Sequence, residues 1–420
     1  MTSSPPVSTD VLVVGAGPAG SAAAAWAARH GLDVVLADAA AFPRDKACGD
    51  GLTPRAIAEL ERLGLGEWVR SRGTNQGLRA HGFDQVLELR WPGGSLPAYG
   101  GAIARTELDE RIRRTALDAG AVPMDSAKAV DVVRVGDRVE EVVFEDGRSV
   151  RCRRLVVADG ARSTLGRVLG REWHRDTAYG VAARGYVGSA HSDDPWISSH
   201  LELRGEADDV LAGYGWLFPL NDGTINIGVG TLATEKRPAS LRLRSLIGHY
   251  TEQRRDEWKL DGPVRAVRSA LLPMGGAVSG VAGRNWALIG DAAGCVNPLN
   301  GEGIDYGLET GRLVAELLAG ERGLDTAWPA TLRGHYGQAF SIARRLAGLV
   351  TLPRLLPLAG PVGMRSRALM TVALRVMGNL VTDADRDLTA RAWRAAGTLS
   401  LRLDERPPFP AADLRGVPAG

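Results

Sequence analysis

The run Asp10-Val-Leu-Val-Val-Gly15-Ala-Gly17-Pro-Ala-Gly20 constrains this chain more than any other stretch. It is a short apolar strand leading into G-x-G-x-x-G. An Ala-rich helical pattern follows to His30, and a second strand, 33–37, ends on Asp38. Each piece has a physical task. Gly15 permits a tight turn, Gly17 lets the backbone approach a pyrophosphate, and Gly20 allows the helix to pack close against the strand. The helix N-terminus turns its N–H groups and positive dipole end toward phosphate charge. Asp38 sits where an acid hydrogen-bonds a ribose hydroxyl. Strand, turn, helix, strand and acid in this order predict a dinucleotide-binding βαβ unit whose turn is Gly15, Ala16, Gly17, Ala19 and Gly20.

The rest of the chain sets the frame around that unit. A chain of 420 residues, 45% hydrophobic, buries large cores and divides into two or three domains. A net charge of +2 gives no reason to expect nucleic acid as a partner. The three cysteines, Cys48, Cys152 and Cys295, are far apart and odd in number, which fits neither a disulfide framework nor a zinc site. The N-terminus lacks a basic region followed by an apolar stretch, and no run of 18 apolar residues occurs. The expectation is a protein on the cytosolic side with no spanning helix.

Element patterns run on from the βαβ start. Helices are predicted over 54–63 and over 105–119, the latter with Thr106 as its cap. Strands 129–135 and 139–144 form a hairpin around Gly136-Asp137, and Asp146-Gly147 makes a second turn. A buried strand over 155–158 ends on Asp159-Gly160, and another over 286–289 ends on Gly290-Asp291. Residues 179–230 read as strands, 304–318 as a helix, and the chain after 330 as mainly helical. This order describes an α/β nucleotide-binding domain, discontinuous over 1–75, 100–175 and 270–330. It is interrupted by insertions 76–99 and 176–269 that build an antiparallel-sheet second domain. Residues 331–405 form a helical C-terminal region and 406–420 a tail.

Three further motifs narrow the nucleotide. Only one G-x-G-x-x-G is present, so one dinucleotide is held tightly. Asp291, after its strand, is placed to hydrogen-bond flavin-nucleotide hydroxyls. Twelve residues on, Gly303-Ile304 opens a helix. Its N-terminus sets N–H groups against the N1–C2=O edge of a flavin, the edge that becomes negative on reduction. Asp159-Gly160 resembles the extra Asp-Gly fingerprint of flavoprotein hydroxylases. Together these point to FAD, where each acid alone reads equally well as a helix cap.

Four motifs carry a resemblance to the geranylgeranyl reductase family of FAD-dependent oxidoreductases. They are the N-terminal fingerprint, Pro43-Arg44-Asp45-Lys46-Ala47-Cys48-Gly49, Ala104-Arg105-Thr-Glu-Leu108-Asp109, and Tyr214-x-Trp216-x-Phe218-Pro219 followed after eight residues by Gly228-x-Gly230. The resemblance spans about 10–405. It implies a single Rossmann-type FAD-binding domain of the p-hydroxybenzoate hydroxylase-like class. Position by position it adds Ala19, Asp38, Lys46, Ala47, Gly49, Arg105, Ala129, Asp291, Gly303 and Ile304 as FAD contacts. Asp38 stands where many members carry Glu. The aromatic motif with its two glycines marks the prenyl-substrate region. Within the family the chain is most similar to the branch that acts on menaquinone, through Cys48-Gly-Asp-Gly-Leu-Thr-Pro-Arg55 and Asn297-Pro-Leu-Asn-Gly-Glu-Gly-Ile-Asp-Tyr-Gly-Leu-Glu309.

The implied reaction saturates a carbon–carbon double bond in a polyprenyl tail with hydride from reduced flavin N5. Tyr214 and Trp216 would shape a tunnel and face a transient cation with their rings. Cys48 reads either as a thiol beside the flavin or as a small packing residue. The motifs serve equally for reduction of geranylgeranyl diphosphate, chlorophyll side chains or ether lipids. A halogenase, a hydroxylase or a lipid escort protein is more distant. No second nucleotide fingerprint assigns an electron donor. Between Asp325 and Asp383 there is no acidic residue, yet seven arginines occur, among them Arg344, Arg345 and Arg354, with apolar clusters between them. The stretch reads as a packing subdomain or as a surface lying on anionic membrane. A bilayer-resident substrate favours the membrane, with the protein peripheral on its cytoplasmic side.

Overall fold

The computed structural model describes residues 7–238, 242–320, 322–352 and 354–411. The strand Val7–Val14 lies between Ser149–Val157 and Val34–Ala37, parallel to both. Trp286–Leu288 and Val122–Met124 extend the parallel sheet on either side. The hairpin of Ala129–Val135 and Arg138–Phe144 joins it at Ser149–Val157. Val11 to Val14 and Leu155 to Val157 are buried without alternation, because helices cover both faces of such a sheet.

The helices are α1 (Pro18–Arg29), α2 (Pro54–Arg62), α3 (Gly66–Ser71), α4 (Arg105–Asp118), α5 (Thr164–Val168), α6 (Leu243–Arg254), α7 (Ile304–Leu318), α8 (Leu324–Val350), α9 (Leu355–Met364), α10 (Arg367–Met377) and α11 (Leu388–Arg402). The alanines of α1 make it thin, and α7 exploits this: a Cβ on Gly311 would lie 2.6 Å from the Ala19 carbonyl oxygen. α4 begins at Arg105 with Ala104 as its N-cap, so Thr106 lies inside the helix and does not cap it.

A second sheet of seven strands runs in the order Leu260–Leu272, Tyr179–Ser189, Thr224–Ala233, Gly213–Pro219, Trp196–His200, Gly77–Gly82, Gln85–Arg90. It is mixed and not purely antiparallel, as Trp196–His200 and Gly77–Gly82 pair in parallel. These two strands come from different insertions, so no hairpin joins them and their relative direction is not bound to alternate.

At the C-terminal end α8 and α9 meet at 111°, and α11 packs along α8. Among the described residues no single helix is long and apolar enough to cross a membrane. The residues expected as a tail are anchored at their start. Phe409 is fully buried against Phe340, and the carbonyls of Arg406 and Phe409 accept hydrogen bonds from Arg344 and Arg333. Residues 412–420 lie outside the described residues.

The arginines of the C-terminal region do not form one basic stripe. Arg344 is buried and donates to the Gly275 and Arg406 carbonyls. Arg345 pairs with Asp404 at 2.8 Å, Arg375 with Asp387 at 2.8 Å, and Arg367 donates to the Glu88 carbonyl. Partners from outside the acid-free stretch fold back onto it. Arg354 and Arg365 are exposed. Beside them Leu358, Val362, Leu369 and Val372 present 39–73% of their surface.

Candidate active site

The G-x-G-x-x-G turn is as tight as its glycines allow. Gly15 has φ +104°, and a Cβ there would lie 2.3 Å from the Ala158 carbonyl oxygen. A Cβ on Gly20 would lie 1.7 Å from the Gly15 oxygen. Gly17 is the N-cap of α1, with Pro18 following, and it offers no side chain to the helix's first N–H groups. The Arg44 guanidinium stands 3.3 Å and that of Arg105 3.9 Å from where a Gly17 Cβ would be. Both arginines are held by one fully buried carboxylate, Asp109, at 2.9 and 2.6 Å. A helix N-terminus faced by two guanidinium groups suits a pyrophosphate.

Asp38 accepts from the Ala16 N–H at 2.7 Å and the Ala40 N–H at 2.8 Å, which fixes its carboxylate at the strand end and occupies the Ala16 donor. The Ala127 N–H bonds the Asp38 carbonyl, which brings the segment leading to Ala129 alongside. Ala129 is buried at the start of its strand, and neither it nor Asp38 lines the cavity described below. Asp159 does not line that cavity either. Its carboxylate accepts from Ser163 Oγ at 2.6 Å and the Leu165 N–H at 2.9 Å, so it closes the turn into α5. That turn presents Gly160, which does line the cavity.

Lys46 and Asp291 pair at 3.1 Å across the cavity wall, beside Gly160 and Gly303. Ala19, Ala47, Gly49, Gly290, Gly303 and Ile304 line the same space, with Gly303 as the N-cap of α7. The phosphate-facing helix end, the paired lysine and acid, and a second helix N-terminus together fit FAD. These residues would hold its pyrophosphate, its ribityl side and its pyrimidine edge, and the bound cofactor supplies hydride chemistry.

The cavity holds about 840 Å³ and continues from these residues under the second sheet to α8, α9 and α10. Tyr214, Trp216 and Phe218 alternate along Gly213–Pro219 and so share its cavity face, with ring centroids 5.7 and 6.2 Å apart. Gly230 lines the cavity beside them, whereas Pro219 and Gly228 do not. Gly228 instead makes room: a Cβ there would lie 2.2 Å from the Trp216 ring. Leu349, Leu369 and Val372 line the cavity and are also exposed, so it opens to the surface there.

Behind this wall lies a residue outside every motif of the sequence, Asn226. Asn226, fully buried, accepts from Trp216 Nε1 at 2.9 Å and donates to the Cys48 carbonyl and to Asp50 Oδ2 at 2.8 Å. Asp50 Oδ2 also accepts from the Tyr186 hydroxyl at 2.7 Å, while Oδ1 is buried without a partner. Burial pushes the Asp50 carboxyl up to about 6, against the hydrogen bonds of Asn226 and Tyr186 and the charges of Arg184 and Arg105. Cys48 lines the cavity. Burial raises its thiol above the usual range, with Arg105 opposing, which keeps the thiol neutral. Burial also raises the Tyr214 phenol, whose hydroxyl donates to the Asn300 carbonyl at 2.6 Å. Glu302, on the loop before α7, accepts from Thr53 Oγ1 and lies 3.5 Å from Asn300 Nδ2.

A protein-family model described as an FAD binding domain matches residues 8–240. A menaquinone reductase of Mycobacterium tuberculosis (strain ATCC 25618 / H37Rv) is 64% identical over 403 residues, 96% of this chain and 98% of that protein. A digeranylgeranylglycerophospholipid reductase of Methanopyrus kandleri is 31% identical over 317 residues, 73% of this chain and 80% of its own. Among solved structures, a geranylgeranyl bacteriochlorophyll reductase-like protein of Thermoplasma acidophilum superposes with a TM-score of 0.72 at 19% identity, covering 95% of this chain and 99% of that one. A flavin-dependent brominase superposes with a TM-score of 0.70 at 20% identity, covering 95% and 100%. The two structural likenesses show the fold alone. With the cradle, the paired Lys46 and Asp291 and the near full-length identity in agreement, the chain belongs to the menaquinone reductase family of FAD-dependent oxidoreductases.

Proposed function

We infer that this protein saturates a carbon–carbon double bond in the polyprenyl tail of menaquinone, with hydride drawn from reduced FAD. The observation that carries this reading is the form of the cavity. It starts among the residues that fit the cofactor, passes the Tyr214, Trp216 and Phe218 rings, and leaves between α8 and α10 along an almost wholly apolar wall. A long, unpolarised tail suits such a wall, since burial of each CH₂ is worth about 0.8 kcal/mol. The aromatic faces supply π density beside the reacting carbons, where positive charge develops. Asn226 orients the Trp216 indole and ties it to the Cys48 backbone, so ring and cofactor-side loop keep one spacing.

The same reading places the protein peripherally on the cytoplasmic face of the membrane. The cavity opens at exposed Leu349, Leu369 and Val372, and α9 between them carries exposed Leu358 and Val362, with Arg354 and Arg365 exposed at its two ends. An apolar patch with a basic border suits an anionic bilayer surface. Digeranylgeranylglycerophospholipid reductases at 31% identity support a second reading, in which the tail of another prenyl lipid is reduced. Mass spectrometry of membrane lipids from cells with and without the protein separates the two. The first reading predicts that menaquinone alone loses its partially saturated species. Unchanged menaquinone with a shift in another prenyl lipid would establish the second.

A further inference from the structure

Saturating an isolated alkene takes a proton as well as a hydride, and the cavity wall offers three carboxyl groups: Asp50, Asp291 and Glu302. Asp291 is committed to Lys46 at 3.1 Å. Asp50 has no exposed surface. Glu302 lines the cavity and is only partly buried. Its loop is braced by hydrogen bonds: the Glu302 N–H donates to Asn300 Oδ1 at 2.9 Å, and its carbonyl accepts from the Asn297 N–H at 2.8 Å. Asn297 and Asn300 both donate to the Met377 carbonyl at 2.8 Å, which fastens the loop to the end of α10. Glu302 therefore stands where the cofactor-side helix α7 meets the wall of the apolar channel.

We propose that Glu302 is the general acid of the reaction and delivers the proton that completes saturation of the tail. The inference rests on the reading of this protein as a polyprenyl reductase. In the step, the Glu302 O–H bond breaks and its proton bonds to one alkene carbon through the π electrons. The other carbon is left electron-deficient and takes the hydride that the reductase activity supplies. Glu302 ends as a carboxylate and regains a proton from solvent before the next turnover.

The surroundings suit both states of the acid. Burial and the neighbouring Asp305 carboxyl of α7 hold Glu302 well above the usual carboxylate range, so a proton is present at neutral pH. Once the proton leaves, Thr53 Oγ1, Asn300 Nδ2 and the Arg55 charge from α2 face the carboxylate, and the N-terminus of α7 begins two residues on. Tyr214 from the sheet and Tyr306 from α7 are the other titratable groups that feel this carboxyl, and burial keeps both phenols neutral.

The test uses the FAD-loaded full chain in menaquinone-containing vesicles, reduced with dithionite under anaerobic conditions. Three forms are compared: wild type, Glu302→Gln and Glu302→Asp. Tail saturation is followed by mass spectrometry and flavin content by absorbance. Loss of a general acid predicts a fall of roughly 10²–10⁴-fold in Glu302→Gln with flavin binding intact. Glu302→Asp, which keeps a proton, should exceed Glu302→Gln, and its activity should fail at a lower pH than that of wild type. Infrared difference spectra of oxidised, FAD-loaded wild type against Glu302→Gln should show a protonated carboxyl at neutral pH. Equal loss in both variants, near-wild-type turnover in Glu302→Gln, or no protonated carboxyl would each overturn the proposal. Should Glu302→Gln lose its flavin, a Glu302→Asp pH profile identical to that of wild type would overturn it instead. If wild type leaves menaquinone unchanged, the reductase reading fails, and the infrared band still decides whether Glu302 holds a proton.

Discussion

Replacing Asp50 by asparagine should change how the stability of this protein depends on pH. Asp50 is fully buried with φ +62°, a backbone conformation that asparagine tolerates better than most residues. The side-chain carbonyl of the introduced asparagine can accept from both Asn226 and Tyr186, while its NH2 takes the place of the unpartnered Oδ1; that cost does not vary with pH, so the pH dependence of the difference reports the ionisable group alone. The Asp50 carboxyl titrates near 6 in the folded protein and near 3.8 in its ordinary state. Between those values the folded chain keeps a proton that the unfolded chain has lost. Stability therefore falls as pH rises through that window, by about 1.4 kcal/mol per pH unit. Over the whole window the loss comes to about 3 kcal/mol, and above pH 6 it stays constant. Below the window both states are protonated and the penalty is absent. Wild type should accordingly lose ground to Asp50→Asn as pH rises from about 4 to about 7. Denaturant unfolding of the two FAD-loaded proteins over that range, followed by tryptophan fluorescence, measures the difference. A stability difference that is flat with pH, or that favours wild type as pH rises, would show that Asp50 does not keep its proton in the folded protein.

Other outcomes follow from the same geometry. Asp291→Ala should lose FAD, because Lys46 is left without its partner and the cofactor loses charge-assisted hydrogen bonds worth about 1.5–3 kcal/mol each; flavin absorbance at matched protein concentration reports it, and full occupancy would remove Asp291 from the site. Gly228→Ala should cost about 1–3 kcal/mol and displace Trp216, since its Cβ would sit 2.2 Å from the ring and 2.6 Å from the Ala183 carbonyl oxygen; melting temperature and turnover should fall together while flavin stays bound. Leu358→Asp with Val362→Asp should release the protein from anionic vesicles, and Arg354→Gln with Arg365→Gln should weaken binding in a salt-dependent way. Arg344→Gln should lower stability instead, because its guanidinium bonds the Gly275 and Arg406 carbonyls in the interior. Vesicle sedimentation paired with thermal melts tells these effects apart.

What the sequence disclosed and what it concealed divide by range. The Gly15–Gly20 turn, the acid-ended strands and the hairpin around Gly136 are local, and their residues state their own geometry. The alternation of Tyr214, Trp216 and Phe218 likewise announces one face of a strand. Asp109 reads as an ordinary helix acid until Arg44 and Arg105 converge on it. Asn226 has meaning only once strand pairing sets it against Cys48 and Asp50. The C-terminal arginines look like a stripe because their partners, Glu88, Asp387 and Asp404, lie outside the acid-free stretch. Asp159 shows the local side of the same rule: its carboxylate accepts from Ser163 and Leu165 a few residues on. Glu302 was visible within Asn297–Glu309, but its acid role depends on Thr53, Asp305 and the cavity around it.

Electrons on the bound flavin are to end in the polyprenyl tail. The direct measurement is anaerobic: reduce the FAD-loaded protein by a single flavin's worth of electrons, add menaquinone in vesicles whose quinone ring is already reduced, and follow flavin reoxidation and product mass together. Reoxidation should require the lipid, and each reoxidised flavin should yield one menaquinone with two added hydrogens in its tail. Reoxidation with no gain in the tail, or a flavin that stays reduced in the presence of the lipid, would contradict it.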